Sequence, residues 1–377
     1  MADTRLRKRG TKNGRDVWTA LIPLAPGPDG KRRRHRFTFV GNKTDADRSL
    51  IAKLHEVAQG DFITPDRVTF GEYLAEWLTA AKARYAATTW HRYKSMVDIH
   101  VMPSLGHIPL QRLTAAQLNR AYADWQQKEG LSGQTALHHH RLVHRVLSVA
   151  MREGRLRQNV AALTERPRAQ RHERRHFSRN EIERIMRIAA GTPFRPLIAL
   201  ALATGARRGE LLALRWSDAD LDRGAIAIRR SLEQTKDGVR EKSPKNGKQR
   251  VVDLPATAVE LLKRHRLNQV AKVGLGPGYV FPGAEGGAWT PHKVTDGFRE
   301  ILRKAKIETG SFHSLRHTAA TQMLELEVPP KIVQERLGHS TIAITMDLYS
   351  HSTPSMQAEA ARRLDVMLGP LLMEEQA

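Results

Sequence analysis

The chain has 377 residues, with 62 Lys and Arg against 39 Asp and Glu, a formal net charge of +23, and no cysteine. Disulfide scaffolds, zinc–cysteine fingers, iron–sulfur sites and thiol enzymes are excluded, and no run approaches the ~18 uninterrupted apolar residues of a membrane span. Hydrophobic residues make up 40%, enough to build cores, so the surplus charge marks a folded protein that meets a polyanion, nucleic acid first of all. The charged stretch Met1 to Gly10 is followed by no apolar run and is not read as a secretory signal.

At roughly 100–200 residues per domain, two or three domains are expected. The pattern gives three, over residues 1–60, 66–165 and 174–377. The expected fold class is multidomain α+β: a small N-terminal β-sheet plus a helix, an all-helical domain, then a mostly helical domain with a small β-sheet. In the first, Val17–Ile22 and Arg36–Val40 are β-rich runs around the turn chemistry of Pro26–Gly30, and Thr44–Ala58 reads as a helix with Leu50, Ile51, Leu54 and Val57 inward. In the second, Thr69 with Glu72 and Thr114 with Gln117 make capping boxes. They open apolar stripes through Phe70, Leu74, Trp77, Leu78 and Ala81, and through Leu118, Ala121, Tyr122 and Trp125. Trp90 to Val97 and Leu137 to Ala150 mark two more helices. In the third, Ser178 with Glu181 is another capping box, Pro196–Ala203 is a helix closed by Gly205, and Glu210–Leu214 starts the next. Ala225–Arg230 and Gln249–Leu254 read as strands joined by a long basic hairpin.

Basic residues cluster in three places. Met1–Arg36 holds 11 Lys or Arg, Arg166–Arg187 holds eight Arg, and Arg229–Arg250 holds eight basic residues. The first and third are expected to contact phosphates, with Arg32, Arg33, Arg34, Lys242 and Lys248 as contact residues, and the second to be a linker that also touches DNA. His138–His139–His140 with His144 looks metal-like, but consecutive residues of a helix point different ways, so a solvated or DNA-facing surface is expected. His313 and His317 are four apart without the Glu of a zinc-protease motif, and no metal site is expected.

The polar residues Arg207, Lys245, His313, Arg316, His339 and Tyr349 suit one reaction. Breaking a DNA phosphodiester without metal puts charge on the non-bridging oxygens, which two guanidiniums can clamp. The departing 5′ oxygen needs a proton, which a Lys can give, and His can assist proton transfer. A Tyr hydroxyl, with a pKa of about 10, is a moderate leaving group, so a phosphotyrosine link is close in energy to the bond it replaces.

Thr204–Trp216 resembles the first box of the tyrosine recombinases, the phage integrase family. His313–Ser314–Leu315–Arg316–His317 resembles their HxxR box, and Leu337–Gly338–His339–Ser340 with Tyr349–Ser350–His351 resembles the LGH and tyrosine boxes. The likeness is close over about Arg174 to Leu368. The helical domain resembles the family's core-binding domain, and the N-terminal sheet resembles the arm-type DNA-binding domain of lambda-like integrases. The resemblance implies that Arg207 and Arg316 hold the scissile phosphate and that Tyr349 attacks it and stays on the 3′ phosphate. Lys245, in Pro244–Lys245–Asn246, would protonate the 5′ oxygen, His313 would assist, His339 would hydrogen-bond the phosphate, and Glu210 would orient the site.

These roles imply a site-specific recombinase that integrates and excises a mobile element. It would need no ATP, metal or other cofactor. Its partners would be core-type and arm-type double-stranded DNA sites, three more copies of itself in a tetramer, and an accessory DNA-bending or directionality protein. It would work in the bacterial cytoplasm, away from membranes. A relaxing enzyme of the topoisomerase IB kind, a catalytically inactive DNA-binding regulator and a metal-dependent nuclease are the competing readings. The amphipathic stretch through Met356, Ala360, Leu364, Met367 and Leu368 packs either on its own domain or on a neighbouring copy.

Overall fold

The computed structural model describes residues 4–24, 32–59, 62–169, 175–235, 238–244, 247, 249–273, 278–283, 286–349, 358, 361–362 and 364–368. The chain divides into two compact units, Met1–Arg171 and His172–Ala377.

The first unit opens with an antiparallel sheet of β1 (Arg7–Lys12), β2 (Arg15–Leu24) and β3 (Arg33–Val40), in that order. Strand alternation puts Ala20 and Ile22 of β2 and Phe37 of β3 on one face, with Ala20 opposite Phe37. Leu50 of α1 (Lys43–Ala58) closes this small core. Ile51, expected inward, is 66% exposed. The helix meets the sheet on the narrow stripe Ala46, Leu50, Leu54 and Val57, and position 51 lies about 100° around the helix from Leu50. Strand β1 was not anticipated: all six of its residues are exposed, so it carries no apolar alternation, and it exists by pairing with the edge of β2. The turn Pro26–Gly30 lies outside the described residues.

The same unit continues with α2 (Phe70–Arg84), α3 (Ala87–Met96), a π turn over Val97–Val101, α4 (Met102–Leu105), α5 (Ala115–Gln127) and α6 (Gly133–Arg152). Both expected capping boxes form. Thr69 N donates to Glu72 Oε2 at 2.7 Å, and Thr114 N to Gln117 Oε1 at 2.9 Å. The core gathers Phe70, Leu74, Trp77, Leu118, Tyr122, Trp125, Val146 and Leu147. His139 and His140 correct the surface expectation, because both are buried. The inward stripe of α6 runs Ala136, His139 and His140, Val143, Val146 and Leu147, Ala150, so helical spacing places both rings among core residues. His139 Nδ1 is 2.8 Å from the Thr135 carbonyl oxygen, and His140 Nδ1 is 3.3 Å from Tyr122 Oη. Burial pulls both imidazoles below their ordinary pKa, so they are held neutral.

The second unit holds α7 (Arg179–Ile188), α8 (Phe194–Thr204), α9 (Arg208–Leu212), β4 (Ala219–Asp220), β5 (Ala225–Ile228), β6 (Ser231–Thr235), β7 (Gly238–Lys242) and β8 (Arg250–Asp253). Helices α10 (Ala256–Val273), α11 (Pro291–Lys304), α12 (Phe312–Glu325), α13 (Pro330–Leu337) and α14 (Ile342–Tyr349) follow. Strands β4, β5 and β8 form one antiparallel sheet, with Ile226 opposite Val252, and the hairpin β6–β7 lies between β5 and β8 in sequence, as expected. Ser178 N donates to Glu181 Oε2 at 2.9 Å, completing the third capping box. Helix α8 packs between α10 and α12, and its buried side chains Leu197, Ile198, Leu200 and Ala201 join Phe281, Phe298 and Leu315 in the main core. Of the amphipathic tail, Leu364, Met367 and Leu368 are exposed, and Met356 and Ala360 lie outside the described residues. No helix among the described residues is long and apolar enough to cross a membrane.

Candidate active site

Two glycines with left-handed backbone build the centre of the site. Gly205 (φ 61°) ends α8, and Gly338 (φ 67°) ends α13. Each turns its chain sharply and presents a carbonyl oxygen to an arginine. A Cβ at Gly205 would also lie 2.2 Å from Leu337 Cδ2 and would displace that buried side chain, on top of the strain of a left-handed φ.

Arg316, on the first turns of α12, is only 4% exposed. Its Nη1 donates to the Gly205 carbonyl oxygen at 2.6 Å, and its Nη2 is buried without a hydrogen-bond partner. Burial, with the charges of Arg207 and Arg250 nearby, pulls its pKa down to about 9. A buried guanidinium with an orphaned donor is costly, and an anion would complete it.

Arg207 sits in extended conformation just before α9. Its backbone N–H donates to Glu210 Oε2 at 2.9 Å, its Nη1 to Glu210 Oε1 at 3.0 Å, and its Nη2 to the Gly338 carbonyl oxygen at 3.2 Å. The guanidinium is thus oriented from two sides while its side chain keeps 25% exposure. Glu210 is buried. Burial alone would raise its pKa, but hydrogen bonds and charge from Arg250 and Arg207 hold it below the ordinary carboxylate value.

His339 follows Gly338 directly. Its Nδ1 and Thr345 Oγ1 share a hydrogen bond of 2.9 Å, which fixes the ring against α14. Tyr349 lies one helical turn beyond Thr345, at the end of α14, and its side chain is outside the described residues. His313 is exposed on the first turn of α12, three residues before Arg316, with its ring edge-on to His317 at 4.8 Å. The structure therefore brings Arg207, Glu210, Arg316 and the Gly338–His339 turn together, with His313 on the helix that carries Arg316.

Lys245 and Lys248 lie outside the described residues. Lys242 ends β7 and pairs with Glu233 across the hairpin at 2.5 Å. The basic run Arg229–Arg250 does not simply face outward. Arg230 reaches Asp218 at 2.5 Å and Glu241 at 3.2 Å. Arg250 turns inward, with Nη2 on Glu210 Oε2 at 2.7 Å, Nη1 on Oε1 at 3.3 Å and Nε on the Arg336 carbonyl oxygen at 2.8 Å. Arg250 is the site residue that sequence reasoning missed. In the first unit, Arg32 precedes β3, while Arg33 and Arg34 lie on it, and all three are exposed. Among the described residues, no three His, Asp or Glu are grouped to hold a metal ion.

Residues 175–356 match the phage integrase family, and residues 69–126 match its N-terminal SAM-like domain. The chain is 27% identical to the tyrosine recombinase XerC-like protein of Caldanaerobacter subterraneus, over 94% of this chain and 97% of that one. It is 30% identical to tyrosine recombinase XerC of Xanthomonas campestris pv. campestris, over 65% of this chain and 72% of that one. Among solved structures, the Tn1549 transposon integrase in complex with a circular intermediate DNA superposes with a TM-score of 0.70 at 20% identity, over 78% of this chain and 99% of that one. A lambda integrase tetramer bound to a Holliday junction superposes with a TM-score of 0.62 at 18% identity, over 90% and 93%. The arginine-centred site and these matches lead to one conclusion: the chain belongs to the tyrosine recombinases of the phage integrase family, DNA strand-transferring enzymes that recombine DNA site-specifically.

Proposed function

We propose that this recombinase cuts and rejoins DNA through a covalent link between Tyr349 and the 3′ phosphate. The observation that carries this reading is the pair Arg207 and Arg316. Each is fixed by a glycine carbonyl, and one donor of Arg316 is buried and unsatisfied. Such preorganised cations stabilise charge that develops on the non-bridging oxygens of a pentacoordinate phosphorus.

The Tyr349 oxygen attacks the phosphorus, a Tyr O–P bond forms and the P–O5′ bond breaks. The Tyr349 proton passes to His313, and Lys245 gives the departing 5′ oxygen its proton. His339, held by Thr345, donates to the phosphate, and Glu210 keeps Arg207 in place. A 5′ hydroxyl of another strand then attacks the phosphotyrosine and releases Tyr349. The bond energy is kept in the phosphotyrosyl link, so no ATP is consumed.

Recombination of two duplexes breaks four strands and so calls for four nucleophiles, which a tetramer supplies. We assign residues 66–165 to core-site binding and residues 174–377 to catalysis. Residues 1–60 would bind a separate arm-type site through Arg32, Arg33 and Arg34. An accessory bending or directionality protein would bring arm and core sites together, and the reaction would take place in the bacterial cytoplasm. The test is a nicked duplex carrying the junction sequence of the element that encodes the chain. The wild-type protein forms an adduct that survives a denaturing gel, and Tyr349→Phe binds the same duplex without forming one. An adduct with Tyr349→Phe overturns the proposal.

A further inference from the structure

We propose that Arg250 is a positioning residue of the strand-cleavage site, the counter-charge that occupies Glu210 so that Arg207 stays aimed at the scissile phosphate. The inference rests on the roles given above to Arg207 and Glu210.

Arg250 begins β8, yet its side chain leaves the strand for the interior and is only 11% exposed. There it joins segments far apart in sequence. It holds both carboxylate oxygens of Glu210 on α9, and it donates to the Arg336 carbonyl oxygen on the last turn of α13. It also lies close against Gly338, where a Cβ would stand 2.8 Å from Arg250 Nη1. Gly338 is the residue whose carbonyl orients Arg207 Nη2, and His339 comes next. One guanidinium thus touches both the first box and the LGH turn.

Charge explains why this matters. The side chain of Glu210 is fully buried. Two guanidiniums touch it, Arg207 before α9 and Arg250 on β8, and Arg316 on α12 lies near enough to feel its charge. Arg250 takes both carboxylate oxygens, and Arg207 makes only one side-chain contact there. Three cations against one anion leave a net +2 for the phosphate. Without Arg250, the buried carboxylate claims the Arg207 head fully, which draws it from the Gly338 carbonyl.

The test follows adduct formation on the nicked junction duplex and, separately, affinity for the same duplex. In Arg250→Met, adduct formation falls about 100-fold, the scale of a misplaced catalytic group. Affinity stays within about twofold of wild type. Arg250→Lys restores at least about tenfold of the loss, because one charge still meets Glu210. In a Glu210→Gln background no carboxylate is stranded, so the chain folds without Arg250, and adding Arg250→Met slows cleavage by no more than about twofold. Arg250→Met cleaving at the wild-type rate would overturn the proposal. So would affinity falling in step with cleavage, or the full loss recurring in the Glu210→Gln background. Wild type and Tyr349→Phe run alongside, so a failure of the underlying reading shows itself separately as a missing or Tyr349-independent adduct.

Discussion

Arg316 on α12 donates Nη1 to the carbonyl oxygen of Gly205 at 2.6 Å, and its Nη2 is buried beside that bond with no partner. The left-handed turn at Gly205 thus aims a charged group that the folded chain alone does not satisfy. In the proposed mechanism, that free donor is the one a phosphate oxygen would satisfy.

Stability and activity should therefore separate at Arg316. Arg316→Met removes a buried, incompletely paired charge and should raise the Tm of the catalytic unit, by about 2–4 °C for each kcal/mol gained. It should also abolish adduct formation. Thermal unfolding and a denaturing gel on the same preparation check both. A lower Tm would mean that Arg316 serves the fold more than the phosphate.

Acid should weaken the helical part of the first unit through His139 and His140. Their folded pKa values lie below the ordinary imidazole value near 6.5, so both are neutral above it in either state. As pH falls below 6.5 the unfolded chain takes up protons that the folded chain refuses, and stability is lost. Trp125 packs against His139 at 5.1 Å, so tryptophan fluorescence during unfolding at pH 7 and pH 5.5 can follow this. His139→Leu should flatten the pH dependence; an unchanged slope would remove His139 from the account.

Much of this architecture can be read from sequence, and the exceptions have physical causes. Capping boxes and apolar stripes depend on neighbours three or four residues apart, so Thr69, Thr114 and Ser178 mark helix starts directly. Gly205 is readable as a cap because few other residues tolerate its backbone. Strand β1 is not readable, since a fully exposed edge strand needs no apolar pattern. His139 and His140 look polar in composition, and only the register of α6 turns them inward. Arg250 looks like one more member of a basic run. Its partner Glu210 lies 40 residues earlier, and no local spacing reveals that a strand's first side chain turns into the interior.

The exposed arginines at the start of β3 and just before it should contribute to a salt-sensitive contact. Replacing Arg32, Arg33 and Arg34 together with Ala should lower the slope of log affinity against log salt by about 2–3 on arm-type DNA. Core-site cleavage should be unchanged. A slope that does not move, measured by salt-titrated binding, would place the arm contact elsewhere.

In the proposed mechanism the positive charge at the phosphate is supplied by the side chains of Arg207 and Arg316, so adduct formation should persist in excess EDTA. Loss of cleavage with binding intact would point to a metal-dependent route.

The most direct measurement is the position of the covalent link. The adduct on the nicked junction duplex, digested with protease and nuclease and analysed by mass spectrometry, should carry its nucleotide on the peptide containing Tyr349 and on no other tyrosine. A nucleotide on a different residue, or cleaved DNA with no protein attached, would contradict the account.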